Sequence, residues 1–280
     1  MKRRPFPARR THLLSMIFPG FDPVAVMVGP VAIRWYALSY IAGIFGAWWY
    51  VRFIAQRPAH GGPLLTTHQV EDFVTWATLG ILVGGRLGYV VFYKPFYFLT
   101  HPLEILFLWQ GGMSFHGGLL GVILVTVLFT RSQGIPVLGL GDLLGCAAPI
   151  GLIFGRIGNF INGELHGRPA PPDLPWAMIF PEAGPLPRHP SQIYEALLEG
   201  VLLLALLHLL WRKKALRARP GALFGLFLIG YGAARTLAEL FREPDAHLGF
   251  LPGGTTMGQW LSLPMIVVGS LLLWRAWSRG

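Results

Sequence analysis

Long apolar stretches separated by short polar connections dominate the sequence. A helix needs roughly 20 mostly apolar residues to cross about 30 Å of hydrocarbon. Seven stretches approach this length, at residues 32–51, 70–93, 113–130, 140–160, 193–211, 223–241 and 259–277. The pattern therefore predicts an all-α polytopic integral membrane protein of about seven transmembrane helices.

Composition agrees with this prediction and excludes an ordinary soluble protein. Of the 280 residues, 53% are hydrophobic and only 13% are charged, whereas a soluble domain averages about 25% charged. The single cysteine, Cys146, allows no disulfide framework. Segment 162–190 is rich in Pro and Gly and too polar to span a membrane, so we predict an outer loop or small head segment within one membrane domain over residues 16–280.

The distribution of basic residues predicts the orientation of the helices. The net charge of +10 is dispersed between apolar segments, which argues against a nucleic-acid partner. Connections after the second, fourth and sixth spans hold Lys94, Arg168, Arg188 and Arg242. The other connections and the C-terminal tail hold ten basic residues, namely Arg52, Arg57, Arg131, Arg212, Lys213, Lys214, Arg217, Arg219, Arg275 and Arg279. This bias predicts a cytoplasmic C-terminus and an N-terminus outside.

The first 15 residues contradict that orientation, because they contain five basic residues. One interpretation is that translation begins at Met16, so that residues 1–15 are a leader that is not translated. The alternative is an extracytoplasmic basic tail. We favour the first interpretation.

Arginines inside apolar spans are candidates for function, because a charged group at the bilayer centre costs at least about 2.5–3.5 kcal/mol. Four qualify, Arg34, Arg86, Arg156 and Arg235, and the predicted orientation puts all of them toward the outer leaflet. Guanidinium groups bind phosphate oxygens bidentately. This pattern indicates a phospholipid substrate, although a single arginine near a helix end can also simply extend to the interface.

Other signals indicate structure. The pairs Gly80/Gly84, Gly117/Gly121 and Gly151/Gly155 have the spacing that allows close helix packing. Ser191 is predicted to cap the fifth helix. Since HExxH, CxxC and Walker-type motifs are absent from the sequence, we predict neither a metal nor a cofactor.

Seven short motifs resemble those of the prolipoprotein diacylglyceryl transferase family. They are Ile33-Arg34-Trp35-Tyr36, Gly85-Arg86-Leu87-Gly88-Tyr89, Phe115-His116-Gly117-Gly118, Gly155-Arg156-Ile157-Gly158-Asn159-Phe160-Ile161-Asn162-Gly163-Glu164, His189-Pro190-Ser191-Gln192, Tyr231-Gly232-Ala233-Ala234-Arg235 and Thr256-Met257-Gly258-Gln259. The resemblance implies a bacterial inner-membrane enzyme, in which segment 162–190 would be a small periplasmic head segment. The enzyme would transfer the diacylglyceryl group of phosphatidylglycerol to the thiol of the lipobox cysteine of a preprolipoprotein.

The resemblance also implies roles for individual residues. His116, Arg156 and Arg235 are predicted to be catalytic, with His116 as the candidate general base. The predicted substrate-binding residues are Tyr36, Arg86, Asn159, Asn162, Glu164, Gly167, Tyr231 and Glu239.

Two other classes of protein remain as alternatives at this point. A transporter would be expected to place its charges near the bilayer midplane. A purely structural membrane subunit would leave the polar cluster unexplained.

Overall fold

The computed structural model describes residues 16–57, 64–171, 173–245 and 248–278. Within these ranges the helices are α1 Trp35–Ala55, α2 Thr67–Tyr93, α3 Pro95–Thr100, α4 Phe115–Gln133, α5 Val137–Ile161, α6 Ser191–Glu195, α7 Leu203–Trp211, α8 Lys214–Arg217, α9 Ala222–Ala238 and α10 Met257–Ser278. A π-helical segment, Ala196–Leu202, joins α6 to α7. The predicted leader, residues 1–15, lies outside the described residues.

The helices confirm the predicted fold class. Six helical segments of the described chain are long and apolar enough to cross a membrane: α1, α2, α4, α5, the continuous segment Ser191–Trp211, and α10. Helix α9 is also apolar but shorter, at 17 residues. The chain is therefore a multi-pass membrane protein of six to seven spanning helices.

The first predicted span begins too early. Residues 24–34 form an antiparallel hairpin, whereas α1 begins only at Trp35. Arg34, predicted inside the span, lies exposed on the second strand of this hairpin. The run is apolar but rich in valine and interrupted by Gly29 at φ 59°, and hydropathy alone does not distinguish a short strand from the start of a helix.

The described strands are short. They are β1 Met16–Ile17, β2 Val24–Val28, β3 Val31–Arg34, β4 Met178–Ile179 and β5 Pro187–Arg188. Strand β4 lies between β1, to which it is parallel, and β5, to which it is antiparallel. The two outermost strands of this sheet are thus far apart in sequence.

The chain forms two compact units. Unit 1 contains the described parts of residues 1–46, 148–209 and 225–271. Unit 2 contains those of residues 47–147, 210–224 and 272–280.

In unit 2, α2 and α4 pack closely through glycines. A Cβ atom at Gly84 would collide with the carbonyl oxygen of Gly117, and one at Gly121 would collide with that of Gly80. These contacts confirm the packing predicted for the first two glycine pairs. The third pair, Gly151 and Gly155, is different, because a Cβ there would meet no described atom within 4 Å.

In unit 1, the predicted head segment is folded against the chain that follows α9. The amide of Arg168 donates to the carbonyl of Phe241 at 2.8 Å, and the amide of His189 donates to the carbonyl of Arg168 at 3.0 Å. Gly167 must be glycine here, because a Cβ would lie 2.5 Å from the His189 carbonyl oxygen and 2.6 Å from that of Phe241. Arg168 reinforces the contact by donating to the carbonyls of Glu239 and Arg242, both at 2.8 Å.

Candidate active site

Two fully buried carboxylates lie at the centre of unit 1. Glu195 is the last residue of α6, Glu199 lies in the π-helical segment, and the side chains of both are 0% exposed. A carboxylate removed from water is tolerated only when it is paired with a positive charge. Each of these carboxylates therefore requires a cationic partner from another part of the chain.

Three arginines supply that pairing. Arg156, on α5, contacts Glu195 at 2.8 Å and Glu199 at 3.2 Å through Nη2. Arg235, on α9, reaches the same two carboxylates at 2.7 and 3.3 Å through Nη1. Arg242, after α9, contacts Glu195 at 3.1 Å. Arg156 and Arg235 contact the same oxygen of Glu195, so their guanidinium groups are neighbours.

A third carboxylate completes what we call the ion cluster: Arg156, Arg235, Arg242, Glu195, Glu199 and Glu239. Glu239 lies one turn after Arg235 and contacts its Nη2 at 2.5 Å. Gly258, at the start of α10, leaves room for this carboxylate, because a Cβ there would collide with Glu239 Oε1. Glu239 therefore pairs with Arg235, and the glycine of the Thr256-Met257-Gly258-Gln259 motif has a steric reason.

The contacts of Arg156 leave part of its guanidinium unused. Its bonds to the carboxylates all run through Nη2, so Nε and Nη1 make no hydrogen bond to any described residue. The side chain is 15% exposed. Arg156 thus has N–H groups available for an additional anion.

The predicted amide and carboxylate residues form a second group at the end of α5. Asn159 Nδ2 donates to Glu164 Oε1 at 2.8 Å, and Asn162 Nδ2 donates to the same oxygen at 3.4 Å. Tyr36 lies beside Asn159, with its hydroxyl also 3.3 Å from that of Tyr40. Gly158 allows this approach, since a Cβ there would lie 3.1 Å from the ring of Tyr36.

The start of α6 holds the loop that carries Glu164. Gln192 Nε2 donates to the backbone carbonyl of Glu164 at 2.7 Å, and Ser191 Oγ donates to that of Leu165 at 2.9 Å. Leu165 itself has a positive φ of 57°. The prediction that Ser191 caps the helix is wrong, because Pro190 occupies the N-cap position and the Ser191 hydroxyl is used by the loop.

Tyr231, another predicted site residue, lies on α9 within electrostatic range of the ion cluster. The charged groups in that range are Glu199, Arg235, Arg156 and Glu195. Nine of the predicted residues therefore belong to unit 1. Eight of them lie in or beside the two groups, namely Tyr36, Arg156, Asn159, Asn162, Glu164, Tyr231, Arg235 and Glu239. The ninth is Gly167, whose backbone contacts the carbonyls of His189 and Phe241.

Arg86 and His116 belong to unit 2. Arg86 is 5% exposed and donates five hydrogen bonds to backbone carbonyls between residues 104 and 112, at 2.6 to 3.4 Å. Five bonds use all of its N–H groups. Its role in substrate binding stays a prediction, and it would require some of these bonds to break.

His116 lies in the first turn of α4 and is exposed. Its ring makes an edge contact with Phe115, at 5.6 Å between centroids. Ser114, two residues before His116, is the N-cap of α4 and accepts a hydrogen bond from the amide of Gly117 at 3.2 Å. The imidazole is thus presented by a well-formed helix start and is accessible to another molecule.

Sequence reasoning missed Glu195, Glu199 and Arg242. The signal was present, because two carboxylates four residues apart within an apolar stretch are as costly as the arginines that we selected. Arg242 was counted only as a basic residue in a connection. The requirement that buried charges be paired would have added Glu195 and Glu199 to the candidate residues, although it does not identify which arginines pair with them.

Fold and site together define a multi-pass membrane protein with a buried cluster of paired charges, in which one arginine keeps N–H groups that no described residue uses. The sequence model of the family "Prolipoprotein diacylglyceryl transferase" matches residues 23–275. The chain belongs to the prolipoprotein diacylglyceryl transferase family, and it is therefore a transferase.

Several relatives are similar over nearly their full length, and each carries the name phosphatidylglycerol–prolipoprotein diacylglyceryl transferase. The protein of Rhodospirillum rubrum is 62% identical over 257 residues, which are 92% of this chain and 93% of the relative. That of Paramagnetospirillum magneticum is 58% identical over 95% of this chain and 97% of the relative. That of Nitrobacter winogradskyi is 55% identical over 95% and 92%.

The ion cluster predicts a large stability difference between two glutamate substitutions. Glu195→Gln keeps the shape of the side chain but removes a buried charge that three arginines share, so we expect a loss of about 3–5 kcal/mol in the free energy of unfolding. Glu243→Gln is the control, because the Glu243 side chain is 44% exposed and Arg188 is its only ion-pair partner among the described residues. Such exposed pairs contribute about 0–1 kcal/mol. Unfolding of both variants in detergent measures the difference, and equal losses would contradict the assigned role of Glu195.

Proposed function

We propose that this chain transfers the diacylglyceryl group of phosphatidylglycerol to the thiol of the lipobox cysteine of a preprolipoprotein. The products are a thioether and glycerol phosphate. The observation that carries the proposal is the ion cluster, in which Arg156 and Arg235 are held side by side and Arg156 retains N–H groups that no described residue uses. Family membership supplies the reaction.

The reaction can be written as a displacement at carbon. The cysteine sulfur, as thiolate, attacks the glyceryl carbon that is bonded to the phosphate oxygen. A C–S bond forms and the C–O bond breaks, and the electron pair of the C–O bond leaves with the phosphate. The phosphate therefore changes from one negative charge toward two as the reaction proceeds.

Arg156 and Arg235 are proposed to stabilise that additional charge. Groups that interact more strongly with the transition state than with the substrate accelerate the reaction, provided that they are held in place beforehand. Glu195, Glu199 and Glu239 hold the two guanidinium groups in fixed orientations. These carboxylates thus contribute to catalysis through the arginines.

The remaining predicted residues receive supporting roles in this proposal. Asn159, Asn162 and Glu164 orient the headgroup, Tyr36 donates a hydrogen bond, and Tyr231 lines the cluster. Gly167 permits its backbone to approach the carbonyls of His189 and Phe241, which fixes the loop carrying Glu164. Arg86 fixes the chain between residues 104 and 112. His116 accepts the thiol proton, since a free cysteine has a pKa near 8.5 and the thiolate is the nucleophile.

We further propose that the protein lies in the bacterial inner membrane, with the N-terminus and the active site toward the periplasm. The excess of basic residues in the connections assigned to the cytoplasm supports this orientation.

The direct test is to incubate the purified protein with phosphatidylglycerol carrying a labelled acyl chain and with a lipobox peptide. We expect a labelled thioether on the peptide cysteine and release of glycerol phosphate. A peptide with Ser in place of the cysteine is the matched control and should remain unlabelled. Absence of thioether under conditions in which the protein stays folded would overturn the proposal.

Lysine substitutions test the two arginines. An ammonium keeps the charge but cannot reproduce the planar fork on a phosphate, so Arg156→Lys and Arg235→Lys should each lower kcat by about 100- to 1000-fold, as loss of a transition-state donor does. Arg52→Lys is the control, because Arg52 pairs with Glu71 at 3.6 Å and is not part of the ion cluster, so turnover should stay near that of wild type. Near-normal turnover in both variants, with unfolding like wild type, would exclude phosphate recognition by these residues.

The pH dependence of rate tests His116. If His116 accepts the thiol proton, the rate deficit of His116→Gln should shrink as the pH rises toward the pKa of the thiol, where thiolate forms unaided. The measurement is kcat for wild type and variant from about pH 6 to 9. Two other histidines titrate toward the acid end of this range, because burial lowers the pKa of His166 and of His189. The comparison near the pKa of the thiol is therefore separate from their titration. A constant ratio would assign His116 a structural role.

Reporter fusions test the orientation. A reporter after Gly280 should read cytoplasmic, and one inserted within segment 162–190 should read periplasmic. The opposite pair of results would place the ion cluster toward the inner leaflet and contradict the orientation.

A further inference from the structure

Two buried amide oxygens beside Glu164 have no hydrogen-bond partner. Among the described residues, five buried side-chain atoms are unpaired: Asn162 Oδ1, His166 Nδ1, Arg188 Nε, Gln192 Oε1 and Arg217 Nε. Asn162 and Gln192 share a further property, because the NH₂ groups of both donate to Glu164. Gln192 as a whole is only 1% exposed.

The orientation of both amides is fixed by these bonds. Oxygen and nitrogen of an amide are easily exchanged in a structure, and the hydrogen-bond network decides between them. The Glu164 carboxylate and the Glu164 backbone carbonyl are acceptors only, so each must face an NH₂ group. Exchanging either amide would therefore place two acceptors against each other, and the unpaired atoms are true acceptors.

An unpaired buried acceptor is uncommon, because its desolvation is not compensated. Gln192 could have been an apolar residue if it served only to fill space. Its oxygen instead has a hydrogen bond left unmade among the described residues, and a donor from another molecule that entered between the surrounding side chains would satisfy it. A headgroup hydroxyl is such a donor.

The position of the two acceptors relative to the arginines suits a phosphorylated glycerol. Asn162 follows Arg156 by six residues on the same helical path, which is about 9 Å at 1.5 Å per residue. Gln192 precedes Glu195 by three residues, or about 4.5 Å. Since Arg156 and Glu195 are in contact at 2.8 Å, both acceptors lie to the same side of the ion cluster, one to two helical turns away.

We infer that Asn162 Oδ1 and Gln192 Oε1 accept hydrogen bonds from the hydroxyl groups of the headgroup glycerol, so that these two residues select a polyol phospholipid. This inference rests on the proposed function, because it requires the phosphate to lie at Arg156 and Arg235. It assigns a specificity role to Gln192, for which sequence reasoning gave none. A site built to bind a substrate hydroxyl discriminates against analogues that lack it, since its own polar groups are then left unpaired.

The test compares phosphatidylglycerol with phosphatidylpropanol, which has the same charge and headgroup length but no hydroxyl. For wild type, kcat/KM should be at least 10-fold higher with phosphatidylglycerol, since each unpaired polar group is equivalent to about 5- to 150-fold. In Gln192→Met, which keeps the length of the side chain, this ratio should fall at least 5-fold. The loss of the bond from Gln192 to Glu164 affects both lipids alike and cancels in the ratio. Asn162→Leu should behave in the same way.

Ser191→Ala is the matched control. It also removes one hydrogen bond from the start of α6 to the same loop, but it touches neither acceptor. It should lower kcat/KM for both lipids by the same factor and leave the ratio unchanged. The inference would be overturned if Gln192→Met left the ratio of kcat/KM between the two lipids unchanged. It would also be overturned if Ser191→Ala lowered that ratio as much as Gln192→Met does.

A headgroup series on wild type keeps the inference testable if the variants do not fold. Phosphatidylglycerol, phosphatidyl-1,3-propanediol and phosphatidylpropanol carry two, one and no hydroxyl groups. Equal turnover of all three would overturn the inference while leaving the transferase function intact. If none of the three lipids gave a thioether, the proposed function would be overturned, and the inference with it.

Discussion

The pairing of Glu195 and Glu199 is the constraint on which unit 1 depends. Two carboxylates without water must be compensated by cations, and the cost of leaving either unpaired is several kcal/mol. The three compensating arginines come from α5, from α9 and from the chain after α9. Pairing these two carboxylates therefore fixes α5, α9 and the chain after α9 against the Ser191–Trp211 segment. Arg168, which donates to the carbonyls of Glu239 and Arg242, extends the same constraint to the head segment.

The same pairing determines how an anion can be bound. Three carboxylates reduce the positive potential that three arginines would create alone, so the cluster attracts a phosphate less strongly from a distance. In exchange, the guanidinium groups of Arg156 and Arg235 are held side by side through one oxygen of Glu195. Little reorientation is then needed as charge develops on a leaving phosphate, and preorganisation of this kind favours the transition state over the substrate.

The helices could be predicted from hydropathy because a spanning helix satisfies its backbone within its own sequence. Helix ends, strands and site contacts follow from interactions over longer distances. Arg156 and Glu195 are 39 positions apart, and Arg86 reaches carbonyls 18 to 26 residues downstream. Ser191 illustrates the limit at the local scale, since its sequence context favours a cap while the structure uses its hydroxyl for Leu165. Pairing rules applied to every buried charge would have recovered Glu195 and Glu199, but no local pattern identifies their partners.

Arg86 and Arg156 show why burial alone does not identify a binding residue in a membrane protein. Both are arginines in apolar helices, and the sequence gives them equal weight. Arg86 uses all five N–H groups on backbone carbonyls, which makes it a support for residues 104–112. Arg156 is anchored through one nitrogen and keeps the others free of described partners. The informative quantity is thus the number of hydrogen bonds that a buried group leaves unmade, because that number measures what a ligand can still gain. Applied to neutral groups, the same criterion selects the oxygens of Asn162 and Gln192 from the many amides and hydroxyls of the chain.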